Sequence, residues 1–165
     1  MKRVINAKAL RTGICMLLTL VMVAGLATPS YAHAAKKPKS KVKKYVVVDI
    51  SEQRLKVYKN EEVIFEAPVV TGNPNKGWKT PTGKFKVRGK ARNARLSGRY
   101  KVKYWIAFIG SLYGFHDASW RKDADFDNPE AYKKRGSHGC INMRRKDVKK
   151  LYKLLTRGTR VIIQK

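Results

Sequence analysis

The chain has 165 residues, enough for one domain with a core of its own, and no Pro–Gly linker divides it into two. Its 38 Lys and Arg against 11 Asp and Glu give a net charge of +27. That balance leaves two readings, anionic partners or a solvated basic surface.

The first 34 residues read as a secretory signal. Lys2, Arg3, Lys8 and Arg11 make a basic start, residues 14–27 are almost wholly apolar, and Ala32 and Ala34 stand at A-x-A spacing. The apolar run falls short of the roughly 20 residues of a membrane span, although a signal anchor that is not cleaved remains open. Cleavage removes four of the 38 cations and none of the 11 acids, which lowers +27 to +23. Export makes nucleic acid a poor partner and the anionic polymers of a cell envelope a better one. Cleavage also removes Cys15, so Cys140 stands alone. An internal disulfide is then excluded, and the thiol is an inert core residue, a link to another molecule, or a reactive group. Residues 35–43 are basic without an apolar run and read as a flexible tether. One folded domain is expected over residues 44–165.

A period of two then runs to about Ile109. Residues 45–50 and 54–58 read as strands, and Asn60 and Glu61 turn the chain into residues 62–70. There Val63, Phe65, Ala67 and Val69 are expected on one face. Residues 71–83, with three glycines and two prolines, cannot form a regular strand and make a long loop of the kind that carries function. Residues 84–88 and 100–109 resume the alternation, with Val102, Tyr104, Ile106 and Phe108 expected to share a face. Residues 112–115 read as a buried strand closing on His116, and residues 128–134 as a short helical turn. One helix is well signalled. Asp147 is placed to cap it, Val148, Leu151, Tyr152, Leu154 and Leu155 form its apolar stripe, and Gly158 is placed to stop it. Residues 159–164 read as a last strand. The fold class is mainly β with one packed α-helix, sheets folded around a core.

The densest chemical signal is Ser137-His138-Gly139-Cys140-Ile141-Asn142. A thiol with an unperturbed pKa near 8.5 is only about 3% thiolate at neutral pH. An imidazole in contact raises that fraction and can hand the proton on to a leaving amine. Beyond the signal the histidines are His116 and His138. Gly139 removes a side chain beside the thiol, so backbone N–H groups can approach a developing oxyanion. His116, His138, Cys140 and Asp117 are also zinc-type donors, but no C-x-x-C or H-E-x-x-H spacing supports a metal.

SHGCIN at 137–142 with His116 upstream resembles the signature of the L,D-transpeptidases with a YkuD-type catalytic domain. YVVVDISEQRLKVYKN, VVTGNPNKGWKTPTGKF and YGFHDASW resemble the family's opening strand pair, its Gly–Pro loop and its first His stretch, in that order. The resemblance implies a mixed β-sandwich-like domain with a packed helix. It implies attack of Cys140 on the carbonyl between the third residue of a peptidoglycan stem, a diamino acid, and D-Ala. A thioester forms, and an amine takes the acyl group to give a 3→3 cross-link in cell-wall biogenesis. Water as acceptor would make the same site a carboxypeptidase. The resemblance further implies no cofactor or metal, acylation by carbapenems, stem peptides as partners, and a monomer at the cell wall or in the periplasm. Cys140 matches the nucleophile and His116 the proton donor and acceptor. The backbone at Gly139 and Cys140 matches the oxyanion site, and His138, Ser137 and Asn142 match supporting positions. Two departures stand out. The gap between His116 and Ser137 is 20 residues, longer than usual, and its polar extra length suggests a surface loop. Asp117 stands where many members have Gly or Ser. Either its carbonyl orients the imidazole or its side chain contacts substrate.

Overall fold

The computed structural model describes residues 43–165. The expected signal and residues 35–42 of the expected tether lie outside them. The first three strands, β1 (Lys44–Asp49), β2 (Arg54–Lys59) and β3 (Glu62–Pro68), form an antiparallel meander. Asn60 and Glu61 join β2 to β3 with φ of 52° and 70°, the left-handed pair that a two-residue hairpin with the strands' own twist requires. Alternation sends Val46, Val48, Leu55 and Val57 to the buried face and stacks Tyr45 on Tyr58, 4.9 Å apart, on the other. The expected face of β3 is broken. The register shifts between Val57 and Tyr58, so that Val57 pairs with Phe65 and Tyr58 with Val63. A bulge reverses the phase. Val63 ends half exposed while Ala67 and Val69 stay buried.

The last strand, β9 (Arg160–Gln164), lies parallel to β1 and antiparallel to β4 (Gly83–Lys86), giving a five-stranded sheet in the order β3-β2-β1-β9-β4. The second sheet is β5 (Gly89–Leu96), β6 (Tyr100–Ile109), β7 (Tyr113–Asp117) and β8 (Ile141–Met143), with β7 and β8 parallel. The fold is thus mostly β, with two mixed sheets and few helices. β5 carries no apolar alternation, only Gly, Lys, Arg, Asn and Ala before Leu96, and so is a strand with no period-two signal. Val102 also leaves its expected face. The amides of Lys103 and Tyr104 both donate to Asp117 Oδ1, at 2.7 and 2.9 Å. Two successive N–H groups aimed at one atom interrupt the pleat, and Val102 packs with Trp105 and Ala107 instead of Ile106 and Phe108.

The helix α3 follows two short ones, α1 (Ala124–Asp127) and α2 (Ala131–Arg135), and spans Arg145–Leu154. Val148, Leu151 and Leu155 are fully buried in the main core with Ile106, Phe108, Phe115, Ile141 and Met143. Its ends differ from expectation. Arg144 occupies the N-cap position without a side-chain cap bond, and Asp147 lies within the first turn. The helix stops before Gly158, which turns the chain into β9 with φ of 89°. Lysines meet the orphan carbonyls at that end. Lys90 Nζ donates to Tyr152 O and Leu155 O at 2.6 and 2.7 Å, and Lys44 Nζ donates to Leu154 O at 2.9 Å. Cations there also complement the helix dipole. Part of the positive charge therefore works inside the fold.

Candidate active site

The 137–140 segment runs between α2 and β8, and the Gly–Pro loop clamps it. Val70 and Asn142 exchange both backbone bonds, Asn73 N–H donates to Ser137 O, and Ser137 N–H donates to Thr71 O. Thr80 links the two segments again: its hydroxyl accepts from Gly72 N–H at 2.8 Å and donates to Gly139 O at 2.9 Å. The contact is so close that a Cβ on Gly72 would lie 1.9 Å from Trp78 O and 2.9 Å from Gly139 Cα. Gly139 has φ of 115°, and a Cβ there would come within 2.3 Å of the Tyr113 ring. This turn therefore needs glycine for its backbone and for its neighbour together.

Ser137 closes the turn on itself. Its Oγ donates to Cys140 O and accepts from Gly139 N–H at 3.0 Å. The Gly139 amide is thus occupied. The Cys140 thiol donates to Leu112 O at 3.6 Å. Burial pushes the thiol up, only partly offset by the Gly114 amide. Leu112, expected in a strand, is largely exposed in the turn before β7.

His116 lies on β7, opposite Trp105 on β6 and Asn142 on β8. It is buried between the rings of Trp105 and Trp120, each 5.9 Å away centre to centre. Nδ1 meets Asp117 O at 2.9 Å and Nε2 meets Asn142 Nδ2 at 3.0 Å. Burial lowers the imidazole from its ordinary range, the Arg121 charge adds to that, and the Asp117 carbonyl and charge oppose it. Cys140 and His116 are both displaced toward their neutral forms. The two line one cleft of about 540 Å³, together with His138, Asn142, Arg121 and Trp120.

His138 stacks on Trp78 at 3.9 Å, on the Gly–Pro loop. Asp117 does not face the cleft. It is fully buried, Oδ1 receives the two β6 amides, and Oδ2 meets Arg145 Nε at 3.3 Å. The expectation that its side chain touches substrate is corrected: its carbonyl reaches the imidazole and its carboxylate braces β6. With that carboxylate turned away, the zinc-type donors do not converge. Among the described residues no three His, Cys, Asp or Glu side chains are grouped to hold a metal.

The residues missed in the sequence are Thr80, Trp78, Trp120 and Arg121. Trp78, Thr80 and Trp120 lie in segments read as whole motifs without a role for these residues, and Arg121 lies in the polar loop. Only a long-range contact tells such a residue from its neighbours.

A family model described as the L,D-transpeptidase catalytic domain, YkuD, matches residues 43–163. YkuD of Bacillus subtilis, named as an L,D-transpeptidase, is 31% identical over 121 residues, covering 73% of this chain and 66% of that protein. A crystal structure of an Enterococcus faecium L,D-transpeptidase mutant superposes with a TM-score of 0.65 at 31% identity, covering 73% of this chain and 49% of that one. The catalytic domain of the E. faecium enzyme, solved by NMR, superposes at 0.60 and 32% identity over 95% of its length. The chain thus spans about half to two thirds of these longer relatives, and nearly all of their isolated catalytic domain.

Proposed function

The chain belongs to the L,D-transpeptidase catalytic-domain family, and from that premise we propose that Cys140 is the nucleophile of a peptidoglycan L,D-transpeptidase, with His116 as its base and acid. The observation that carries the proposal is one cleft lined by a half-buried thiol and a buried neutral imidazole. Neutral imidazole is the form that accepts a proton. As His116 takes the thiol proton, Sγ attacks the carbonyl between the stem's diamino acid and D-Ala. The C–N bond breaks, His116 returns the proton to the departing amine of D-Ala, and a thioester remains. An amine of a second stem then attacks the thioester, its proton passes through His116 to Sγ, and the 3→3 cross-link is released. If water takes the amine's place, the product is a tripeptide stem.

The oxyanion needs a donor aimed at the carbonyl oxygen. The Gly139 N–H is occupied by Ser137, so we assign that donor to the Cys140 N–H, with the turn braced by Ser137 and Thr80. His138, held by Trp78, and Asn142 support the cleft walls. The leader and tether, residues 1–43, would place the domain outside the membrane, where its basic surface meets anionic envelope polymers.

Intact mass after incubation with a carbapenem tests the reading. One covalent adduct on the parent is expected, absent from Cys140→Ala and formed slowly on His116→Ala. A folded parent without adduct would instead favour a basic wall-binding module. Muropeptide products with a purified tetrapeptide donor then distinguish an amine acceptor from water.

A further inference from the structure

Arg121 reaches the catalytic imidazole through one intermediary. Its Nε donates to Asn142 Oδ1 at 2.7 Å, and the same amide's Nδ2 lies 3.0 Å from His116 Nε2. A guanidinium nitrogen only donates. The Asn142 atom facing it is therefore the oxygen, and the atom facing the ring is the NH₂. That NH₂ donates, so Nε2 must offer a lone pair. On the ring's other edge Asp117 O accepts at 2.9 Å, which requires a proton on Nδ1. The donor-only chemistry of one Arg thus selects one of two neutral tautomers two side chains away.

We infer that Arg121 is a positioning residue that acts through Asn142 to hold His116 as the neutral tautomer with the proton on Nδ1 and the lone pair on Nε2, where the Asn142 NH₂ occupies it at rest and must yield before the Cys140 proton can transfer. The inference deepens the function proposed above and rests on it for the proton's origin, while the tautomer itself does not depend on catalysis. Both ends of this relay are held by further contacts. The Asn142 backbone exchanges two bonds with Val70. The Arg121 side chain is 8% exposed, donates to Arg135 O and lies 3.7 Å from Asp125, which Arg135 in turn holds at 2.6 Å. Turning the amide over would set its NH₂ against the guanidinium and its oxygen against a lone pair, two repulsive contacts in place of two bonds. The long segment between His116 and Ser137 therefore supplies a part of the catalytic geometry.

Other ionisable groups surround the ring without reaching that amide. Arg99 and Tyr100 from the β5–β6 hairpin, His138 and Cys140 line the cleft, Asp117 turns its carboxylate into β6, and the rings of Trp105 and Trp120 flank the imidazole. Removal of Arg121 frees Asn142 to present Oδ1 to a protonated Nε2, and it removes a cation near the ring. Both effects favour the imidazolium.

The test is long-range ¹H–¹⁵N correlation of the full chain with ¹⁵N-labelled histidine, titrated beside the pH profile of Cys140 acylation by a carbapenem. The parent is expected to show His116 as the Nδ1–H tautomer. In Arg121→Ala the His116 midpoint should rise by about one pH unit, and the acid limb of the acylation profile should rise with it. Arg121→Lys, which restores the charge and one donor, should recover most of the shift. A folded Arg121→Ala protein with the parent's tautomer and midpoint overturns the inference, and Arg121→Gln decides by the same readout should the Ala variant not fold. Because the tautomer is read without substrate, a parent that fails to acylate removes the proposed function and leaves this result standing.

Discussion

The two sheets use the same alternation of side chains for different ends. In the five-stranded sheet the pairing runs in register across β1, β2, β9 and β4, with its one shift in β3 toward the edge, and the buried face is aliphatic. The four-stranded sheet is irregular where it matters. Its β6–β7 register shifts near Ala107, two β6 amides leave the ladder for Asp117, and His116, Asp117 and Asn142 are all buried polar residues. Each of these polar groups has partners, and among the described residues no buried side-chain nitrogen or oxygen lacks one. A regular sheet stabilises by burying apolar surface. The other holds the buried polar residues of the candidate site by directed bonds, which fail sharply when one partner goes.

That contrast can be broken first at Asp117. Asp117→Ala leaves two half-buried amides without an acceptor, and a loss of about 2–3 kcal/mol is expected in chemical denaturation. Asp117→Asn, which keeps Oδ1, should lose less than half of it. Leu55→Ala in the regular sheet should cost about 3 kcal/mol by cavity formation. The carbapenem acylation rate of its folded fraction should stay within twofold of the parent. If that rate falls tenfold, the two sheets are not separable as scaffold and site. Gly139→Ala should do the reverse. Displacement of the turn from Tyr113 lowers the acylation rate constant about 100-fold, while stability falls by only about 1–2 kcal/mol. The smallest effect belongs to Asp49. Partial burial pushes its carboxyl up, but bonds from Ser51, the Glu52 amide and Gln164 outweigh this and leave it below the usual value. A depressed carboxyl stabilises above its unfolded pKa of about 3.9, and the gain is lost as pH falls through the lower folded value. Asp49→Ala should therefore differ from the parent by about 0.5 kcal/mol at neutral pH, and thermal melts below pH 3 should converge.

The same contrast explains what was legible in the chain. Period-two alternation located most of the strands because their burial comes from apolar spacing, and the helix stripe named Val148, Leu151 and Leu155 for the same reason. Cys140 stood out as a candidate because a lone thiol flanked by Gly and His is chemically unusual, and the structure puts it on one cleft with His116. β5 was not legible, since a strand with neither face apolar leaves no period to read. Val63 was misplaced because a bulge shifts phase by a residue without changing composition, and Val102 because the next two amides turn to a carboxylate distant in the chain. The helix's C-terminal end was misread because lysines distant in the chain meet its last carbonyls in place of a local glycine. Arg121 was hidden among cations, and its buried bond to Asn142 alone sets it apart.

The pairing of β1 with β9 also sets an order of events in synthesis. Tyr45 and Arg160, Cα partners in the middle of the five-stranded sheet, stand 115 positions apart. Until residues 160–164 have left the ribosome, the β1–β2–β3 meander keeps an open edge at β1, and β4 has no neighbour in its sheet. Contacts of such long sequence separation slow folding. The five-stranded sheet of a nascent chain therefore cannot close until residues 160–164 are available to separate β1 from β4.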